Sequence, residues 1–333
     1  MEYVKLCEVY KMLENTSKGL AKREILSKFF SKLKKEKDFK IVYLLQGRVF
    51  PDYEEKELGI SIQLTFKAIS QACGIEEKKI VEEFKILGDA GLVAEKALSE
   101  KKQKALFQSK LTTEKVLDNL RKLSTIEGKG AVEKKIDLIV EIFHSCSPIE
   151  AKYFARTLLG DLKIGVGNGQ IREAIVEDCF SPKDILDRKK FSEKVQGAYD
   201  KTTDFAEVFE RAVENTLDKI LLSPGKPVKV MLFPKAKDIA DAFEIVGKPA
   251  AFEYKYDGFR VMINKDKTDK IRIFTRRLED VTKQFPELAE YAKKNIDAKS
   301  FIIDGEAIGF DSKTKKFAPF QFISRRIKRK YDI

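Results

Sequence analysis

Apolar side chains in the first 220 or so residues repeat at the spacing of an α-helix. One stripe follows Thr112, a residue type that caps helices, and runs through Val116, Leu117, Leu120 and Leu123. Another runs through Phe205, Val208, Phe209, Ala212, Val213, Thr216, Leu217 and Ile220. No repeat period is present, so this part of the chain is predicted to be an all-α domain rather than a solenoid.

Two short segments carry signals for the start of a helix. Ser147-Pro148-Ile149-Glu150 combines a capping serine, a proline in the first turn and a glutamate three residues later. The helix that it predicts carries Phe154, Ala155, Leu158, Leu159 and Leu162 on one face. Ser181-Pro182-Lys183-Asp184 repeats the signal and predicts a second helix start.

The pattern changes at Ser223-Pro224-Gly225-Lys226-Pro227, which cannot continue a helix. Short alternating segments follow at 252–255, 261–264, 270–275 and 301–310 and predict strands, with one helix predicted at 286–294. We therefore expect an all-α domain over residues 1–222 and an α+β domain with an antiparallel sheet over residues 223–333.

Composition narrows the functional classes. Lys and Arg outnumber Asp and Glu by 65 to 53, a net charge of +12, which favours a polyanionic partner. A single histidine, His144, excludes a histidine-rich metal centre, and the four separated cysteines form no metal or redox motif. No apolar run is long enough to cross a bilayer, so a soluble intracellular protein, cytoplasmic or nucleoid-associated, is expected with no membrane partner.

One stretch carries the chemistry: Glu253-Tyr254-Lys255-Tyr256-Asp257-Gly258-Phe259-Arg260. Lys255 ends a strand-like run, and Asp257-Gly258 follows it as a turn. Arg260 would place a second cation near the lysine, which raises the fraction of free amine, the nucleophilic form. Its planar fork also suits phosphate or ribose oxygens. The bland alternative is an exposed hairpin with ordinary charges.

This stretch resembles motif I of the covalent nucleotidyltransferases, the superfamily of DNA ligases, RNA ligases and mRNA capping enzymes. Residues 274–287 resemble motif Ia of ATP-dependent DNA ligases, residues 301–306 resemble motif III, and residues 319–326 resemble motif IIIa. The likeness is greatest to the archaeal and eukaryotic replicative type. Residues 227–232 resemble the entry to the family's catalytic domain, whose sheet is antiparallel and ATP-grasp-like.

The resemblance implies roles for particular residues. Lys255 would attack the α-phosphorus of ATP and carry AMP, while Glu253 would contact the adenine. Arg260 and Arg276 would bind the ribose and phosphate region, or the 5′-phosphate of DNA. Glu306 would hold a ribose hydroxyl or position Mg²⁺, and Asp257 would orient Lys255. The run of Arg325, Arg326, Lys328, Arg329 and Lys330 is given no catalytic role.

Residues 158–167 resemble a segment of the DNA-binding domain that precedes the catalytic core of these ligases. Gly165-Val166-Gly167 reads as a glycine-rich turn between helices, not a dinucleotide fingerprint, because a helical pattern precedes it. Its backbone N–H groups and the helix start predicted at Gln170 can approach phosphates, with Lys163 and Arg172 adding charge. Lys129, in Glu127-Gly128-Lys129-Gly130, marks a second loop of this kind.

The family continues beyond motif IIIa with motif IV, motif V and an OB-fold domain, which this sequence lacks. We therefore expect a truncated ligase that cannot seal nicks by itself. The resemblance implies ATP and Mg²⁺ as cofactors, nicked double-stranded DNA and a sliding clamp as partners, a monomer, and a role in DNA replication, repair and recombination.

Two alternative functions stay open. An RNA ligase or capping enzyme would share the Lys255 chemistry, although the long helical front domain argues against it. A chain of this length could also serve only as a non-catalytic DNA-binding module.

Overall fold

A computed structural model describes residues 1–54, 56–101, 110–230, 234–311 and 313–327. It contains two compact units, one of Met1–Ala198 with Asp204–Lys219 and one of Tyr199–Thr203 with Ile220–Ile333. The predicted domain boundary between residues 222 and 223 stays a prediction. Within the described ranges, no helix is both long and apolar enough to span a bilayer.

The first unit is helical, as its apolar periodicity predicts. Its helices are α1 Tyr3–Glu14, α2 Gly19–Glu36, α3 Ile41–Leu45, α4 Ile62–Cys73, α5 Glu77–Leu87, α6 Ala90–Ser99, α7 Thr113–Leu123, α8 Ala131–Ser145, α9 Pro148–Leu158, α10 Asn168–Phe180, α11 Ile185–Thr202 and α12 Phe205–Val213, followed by a 3₁₀ turn at Leu217–Lys219. The last residues of α11 belong to the second unit. The all-α prediction for this part of the chain is confirmed.

Local sequence signals explain where several helices begin. The hydroxyl of Thr112 accepts a hydrogen bond from the Lys115 N–H at 3.1 Å and caps α7. The predicted capping box of α9 is present, with the Ser147 N–H donating to the Glu150 carboxylate at 2.7 Å. Each cap satisfies an N–H that the first helical turn leaves without a partner.

The predicted start at Ser181 is wrong. Ser181 ends α10 in a left-handed conformation, with φ of 45°. The carboxylate of Asp184 instead accepts a hydrogen bond from the Asp187 N–H at 2.8 Å, and α11 begins at Ile185. Two further bounds differ: α9 ends at Leu158, before Leu162, and α10 begins at Asn168 rather than Gln170.

The core of the helical unit contains large aromatic side chains. Tyr10 and Tyr153 contact each other with ring centroids 5.1 Å apart, and the Tyr10 hydroxyl donates to the Leu44 carbonyl at 2.8 Å. Phe30 and Phe209 pack at 4.6 Å. Each such buried side chain contributes about 1.5–3 kcal/mol, so this core holds α1, α2, α9 and α12 in fixed positions.

Gly91 allows α6 and α9 to approach closely. A Cβ atom at this position would lie 2.6 Å from the Lys152 carbonyl oxygen and 2.8 Å from Cγ of Arg156. Such distances are not tolerated between real atoms, so only glycine permits this helix contact. The contact brings Asp89, the N-cap of α6, to the side chain of Arg156.

The second unit is α+β. Its elements are α13 Ile239–Val246, β1 Phe259–Lys265, β2 Ile271–Thr275, α14 Pro286–Asn295, β3 Phe301–Ala307, β4 Gly309–Asp311, β5 Lys316–Ala318 and α15 Phe320–Ile327. One sheet has the order β2-β1-β3 with antiparallel pairs, and β4 pairs with β5 in a second antiparallel sheet. The predicted fold class, including the antiparallel sheet and the helix near residue 286, is confirmed.

The strand predicted at residues 252–255 is absent, because this segment has no regular structure and its side chains are exposed. Its alternation of polar and apolar residues is not matched by a neighbouring strand among the described residues, so no ladder of hydrogen bonds forms. The strand instead starts at Phe259, after Gly258. Residues 231 and 232 of the predicted domain entry, and Lys328, Arg329 and Lys330, lie outside the described residues.

Candidate functional site

The three-stranded sheet has one core face and one polar face. Phe259, Val261 and Ile263 point into a core with Ile271 and Ile273. The residues between them face the other side, because side chains alternate along a strand. The register places Arg260 opposite Glu306, and Met262 opposite Asp304, so these four side chains share the second face.

One half of the second face is covered by the preceding segment of the chain. The Gly225 N–H donates to the Asn264 side-chain oxygen at 3.3 Å, and the Val228 N–H lies 3.2 Å from the Met262 sulfur. Met262 and Asn264 are therefore buried. Arg260, Asp304 and Glu306 remain exposed at the other half, where a ligand can reach them.

Arg260 is held in place by Asp304. Its Nε donates to Oδ1 of Asp304 at 2.8 Å, and its terminal nitrogen contacts Oδ2 of the same carboxylate. This hydrogen-bonded pair raises the pKa of Arg260. The two side chains are 41% and 43% exposed, so the pair is accessible to competing anions. Asp304 is a site residue that the sequence reasoning did not identify, although its spacing of two from Glu306 indicated a shared face.

Glu306 offers a free carboxylate. It makes no hydrogen bond or ion pair within the described ranges and lies opposite Arg260 on the open face. No group of three or more His, Cys, Asp or Glu residues that could hold a metal ion is present among the described residues.

Gly258 brings the lysine-bearing segment against β3. A Cβ at Gly258 would lie 2.4 Å from the Ala307 carbonyl oxygen and 3.0 Å from Cγ of Glu306. The bare backbone is therefore required for this approach. The Asp257 carboxylate accepts a hydrogen bond from the Phe320 N–H at 3.3 Å, a contact that suits a structural role.

Lys255 and Glu253 are exposed on the irregular segment before Gly258. In the part of the chain that the structure describes, no hydrogen bond or ion pair joins either of them to Arg260, Arg276 or Glu306. The structure thus brings Arg260 and Glu306 to opposite positions of one sheet face, whereas Lys255 lies on the irregular segment that leads into Gly258.

Arg276 lies in a turn immediately after β2. The Leu278 N–H donates to the Thr275 carbonyl at 2.9 Å, which closes the turn around Arg276 and Arg277. Thr275 is the register partner of Val261, so Arg276 and Arg260 occupy neighbouring positions just beyond that pair. Both arginines are exposed at this end of strands β1 and β2.

The candidate DNA-contacting residues of the helical unit differ in their surroundings. Lys129 is exposed between Gly128 and Gly130, whose φ values are 87° and 77°. Lys163 forms ion pairs with Asp89 at 2.9 Å and Asp161 at 3.4 Å, and the hydrogen bond with Asp89 raises its pKa.

Arg172 is bonded within the protein, donating to Glu173 at 3.2 Å and to Gln196 at 2.9 Å. Lys129 has no hydrogen bond or ion pair with any residue that the structure describes, whereas Arg172 and Lys163 would have to exchange a partner to bind a phosphate. Sequence reasoning missed Asp89, because its proximity to Lys163 depends on the packing of α6 against α9.

Gly165 and Gly167 lie in the loop between α9 and α10. Gly165 has a φ of 61°, and the Ile164 and Gly165 carbonyls accept hydrogen bonds from Lys22. Gly167 is the N-cap of α10, and its N–H donates to the Gln170 side chain at 3.0 Å. The predicted glycine-rich turn between helices is present.

Comparisons with known proteins match both units. A family model described as DNA ligase N terminus matches residues 2–176, and one described as ATP dependent DNA ligase domain matches residues 230–333. A DNA ligase of Nanoarchaeum equitans is 43% identical over 337 residues, covering 100% of this chain and 57% of the relative. DNA ligases of Methanosphaera stadtmanae and Thermococcus onnurineus are 41% and 37% identical, with 99% and 100% of this chain and 58% of each relative covered.

Proposed function

The chain belongs to the ATP-dependent DNA ligase family, and on that premise we propose that it holds the DNA-binding and lysine-adenylating parts of an enzyme that seals nicks in duplex DNA. The chain spans less than two thirds of the length of the relatives it matches. The observation that supports the proposal best is the pair of exposed residues Arg260 and Glu306 at opposite register positions of one sheet face, with Gly258, at the end of the lysine-bearing segment, packed against β3.

The proposed reaction has three steps. The free amine of Lys255 attacks the α-phosphorus of ATP, so a P–N bond forms, pyrophosphate leaves and the amine loses a proton. The AMP group then passes to the 5′-phosphate at a nick, which restores the lysine. Finally the 3′-hydroxyl attacks that phosphate, forms the phosphodiester and expels AMP.

Positioning and charge neutralisation dominate such phosphoryl transfers, and the exposed half of the sheet supplies both. Arg260, oriented by Asp304, presents its remaining donors to the phosphate or ribose oxygens. Arg276, at the same end of the neighbouring strand β2, adds a second cation. Glu306 accepts from a ribose hydroxyl, and Glu253 contacts the adenine in the proposed arrangement.

The residues present fit a Mg²⁺ ion that is shared with the nucleotide. Mg²⁺ prefers one or two carboxylates together with phosphate oxygens and water, and Glu306 has a free carboxylate on the open face. The ion would supply charge neutralisation on the phosphates. The chain's own residues would hold the α-phosphorus next to Lys255 and keep the reacting groups aligned.

The helical unit is proposed to hold the duplex through its phosphates. Lys129 and Gly165 would make these contacts directly, with Gly167, Lys163 and Arg172 contributing after partner exchange. The net charge of +12 supports this, and affinity should fall steeply with salt and depend little on sequence.

The proposal extends to the DNA substrate, the oligomeric state, the location and the protein partner of the enzyme. The substrate would be nicked double-stranded DNA, acted on by a monomeric, intracellular and nucleoid-associated enzyme during replication, repair and recombination. A sliding clamp is proposed as its protein partner.

The nucleophile can be tested by incubating the complete polypeptide encoded by the gene with ATP and Mg²⁺ and measuring its intact mass. A covalent AMP adduct is expected in the wild type and absent in Lys255→Ala. Lys294→Ala, at an exposed lysine of α14, serves as the matched control and should keep the adduct. An adduct on Lys255→Ala would overturn the assignment.

A further inference from the structure

Lys22 of α2 is buried beneath the loop that carries Gly165. Its side-chain nitrogen donates to the Ile164 carbonyl at 2.6 Å and to the Gly165 carbonyl at 2.8 Å, and the residue is only 7% exposed. The contacts span 142 and 143 positions of sequence, so they fasten the loop to a distant helix.

This lysine is unusual because it is a buried charge without an acidic partner. The ion pairs found among the described residues include none with Lys22. Burying an ammonium group costs several kcal/mol unless polar groups replace its water, and here two carbonyl dipoles of one loop do so. An apolar side chain in its place would leave these two carbonyls without their donor, so the lysine is what holds them turned inward.

The lysine and the glycine fit each other closely. A Cβ atom at Gly165 would lie 2.3 Å from the Lys22 nitrogen, so any larger residue would displace the ammonium. The two carbonyls of the loop are turned onto Lys22. The N–H groups of Gly165 and Val166 make no hydrogen bond with any described residue, and Gly165 is exposed.

We propose that Lys22 is a positioning residue for the DNA backbone: it fixes the carbonyls of the loop inward so that its free N–H groups and the start of α10 can bind a phosphate. This inference rests on the proposed binding of DNA by the helical unit. Lys22 acts through the loop and contributes its positive charge from below, without touching the DNA.

The chain contains a matched control for this arrangement. Lys135 of α8 donates to the Leu58 carbonyl at 2.9 Å, and a Cβ at the adjacent Gly59 would lie 2.8 Å from the Lys135 nitrogen. Gly59 has a φ of 63°. The same kind of lysine-to-loop contact therefore occurs at a loop with no proposed DNA contact.

The test measures binding of a fluorescein-labelled nicked duplex by fluorescence anisotropy over a series of KCl concentrations. The proteins compared are the wild type, Lys22→Met, Lys22→Arg, Gly165→Ala and Lys135→Met. Circular dichroism first establishes that each one is folded, and binding is measured at a temperature well below the unfolding midpoint of the least stable protein. Lys22→Met should bind roughly tenfold more weakly, or ~1.4 kcal/mol. Lys22→Arg should stay within about threefold of the wild type.

A coupling measurement separates positioning from a general loss of stability. Gly165→Ala should also weaken DNA binding. Because both substitutions break the same contact, the Lys22→Met/Gly165→Ala double variant should have the same affinity as whichever single variant binds more weakly. Lys135→Met should lower thermal stability but leave DNA affinity unchanged. Wild-type affinity in Lys22→Met, or equal losses in Lys22→Met and Lys135→Met, would reject the inference while leaving the proposed function intact. A wild-type chain that does not bind DNA would reject both.

Discussion

Arg260 on β1 and Asp304 on β3 form a diagonal cross-strand pair, in which two of the three guanidinium nitrogens of the arginine contact one carboxylate. The pair lies beside Glu306, on the half of the sheet face that remains open to solvent. Because the guanidinium group of Arg260 is planar and is held on one side by Asp304, its remaining N–H donors point in a fixed direction. Asp304 therefore fixes the orientation of Arg260 on this face.

Replacing Asp304 should impair nucleotide use. In Asp304→Ala the Arg260 side chain loses its fixed direction, so the KM for ATP in the adenylation step should rise by roughly tenfold to a hundredfold. Asp304→Asn keeps one acceptor oxygen, so its KM for ATP should lie between those of Asp304→Ala and the wild type. Steady-state adenylation at varied ATP gives the values. Asp297→Ala, at an exposed aspartate outside the strands of the sheet, should behave as the wild type.

A methyl group at residue 258 should disturb both the fold and the site. Gly258→Ala places a Cβ 2.4 Å from the Ala307 carbonyl, so the second unit should lose about 1–3 kcal/mol of stability as β1 and β3 adjust. Gly305→Ala provides the control, because its Cβ would meet nothing within 4 Å. Urea denaturation compares the two variants. Equal stability in both would show that the close approach at Gly258 is not required.

The buried ionic cluster of the helical unit predicts acid sensitivity. Burial alone would raise the pKa of Asp89, but hydrogen bonds from Arg156 and Lys163 outweigh it and lower the pKa to about 2. Burial likewise opposes hydrogen bonds from Tyr153, Arg156 and Lys152 to Glu14, and the pKa of Glu14 is also lowered to about 2.

Because these folded-state pKa values lie below the ordinary values near 4, the stabilisation is present above about pH 4 and is lost as the pH falls through about 2. Thermal unfolding between pH 7 and pH 2 should therefore show a steep loss of stability below about pH 4 in the wild type. Asp89→Asn should begin from a lower stability at pH 7 and lose less on acidification. Parallel curves for the two proteins would contradict the role of Asp89.

Lys129 and Lys78 should differ in their effect on DNA binding. Lys129 is exposed in a glycine-flanked loop, so Lys129→Ala should reduce the slope of log affinity against log salt by about 1, without changing sequence preference. Lys78→Ala removes an exposed lysine of α5 that has no proposed DNA contact, and its slope should match the wild type. Binding isotherms at several salt concentrations provide the slopes.

Local signals in the sequence were sufficient for much of the fold. Thr112 and Ser147 mark the starts of α7 and α9, because a cap acts within a single turn. The change to alternating residues after the Pro–Gly segment located β1, β2 and β3. Ser181 misled the prediction, because a serine before proline looks the same whether it closes one helix or opens the next.

The partners of the site residues could not be predicted from any short segment of the sequence. Asp304 meets Arg260 only because β1 and β3, which are 44 positions apart at these residues, pair in one register. Lys163 meets Asp89 only because Gly91 lets α6 approach α9. The residue types were visible in the sequence, but their partners were set by packing.

The segment from Ile164 to Asp178 is attached to α2 near both of its ends. Lys22 holds the loop at Ile164, while Ser31 and Lys34 contact Asp178 near the end of α10, the latter at 3.9 Å. Surface loops usually open locally at little free-energy cost, whereas packed helices open only with most of the domain. A loop rich in glycine would ordinarily be assigned as a hinge. Here the hydrogen-bonded amide protons of α10, which follows the loop, should exchange with solvent deuterium in step with those of α2, so that the two helices open as one cooperative unit.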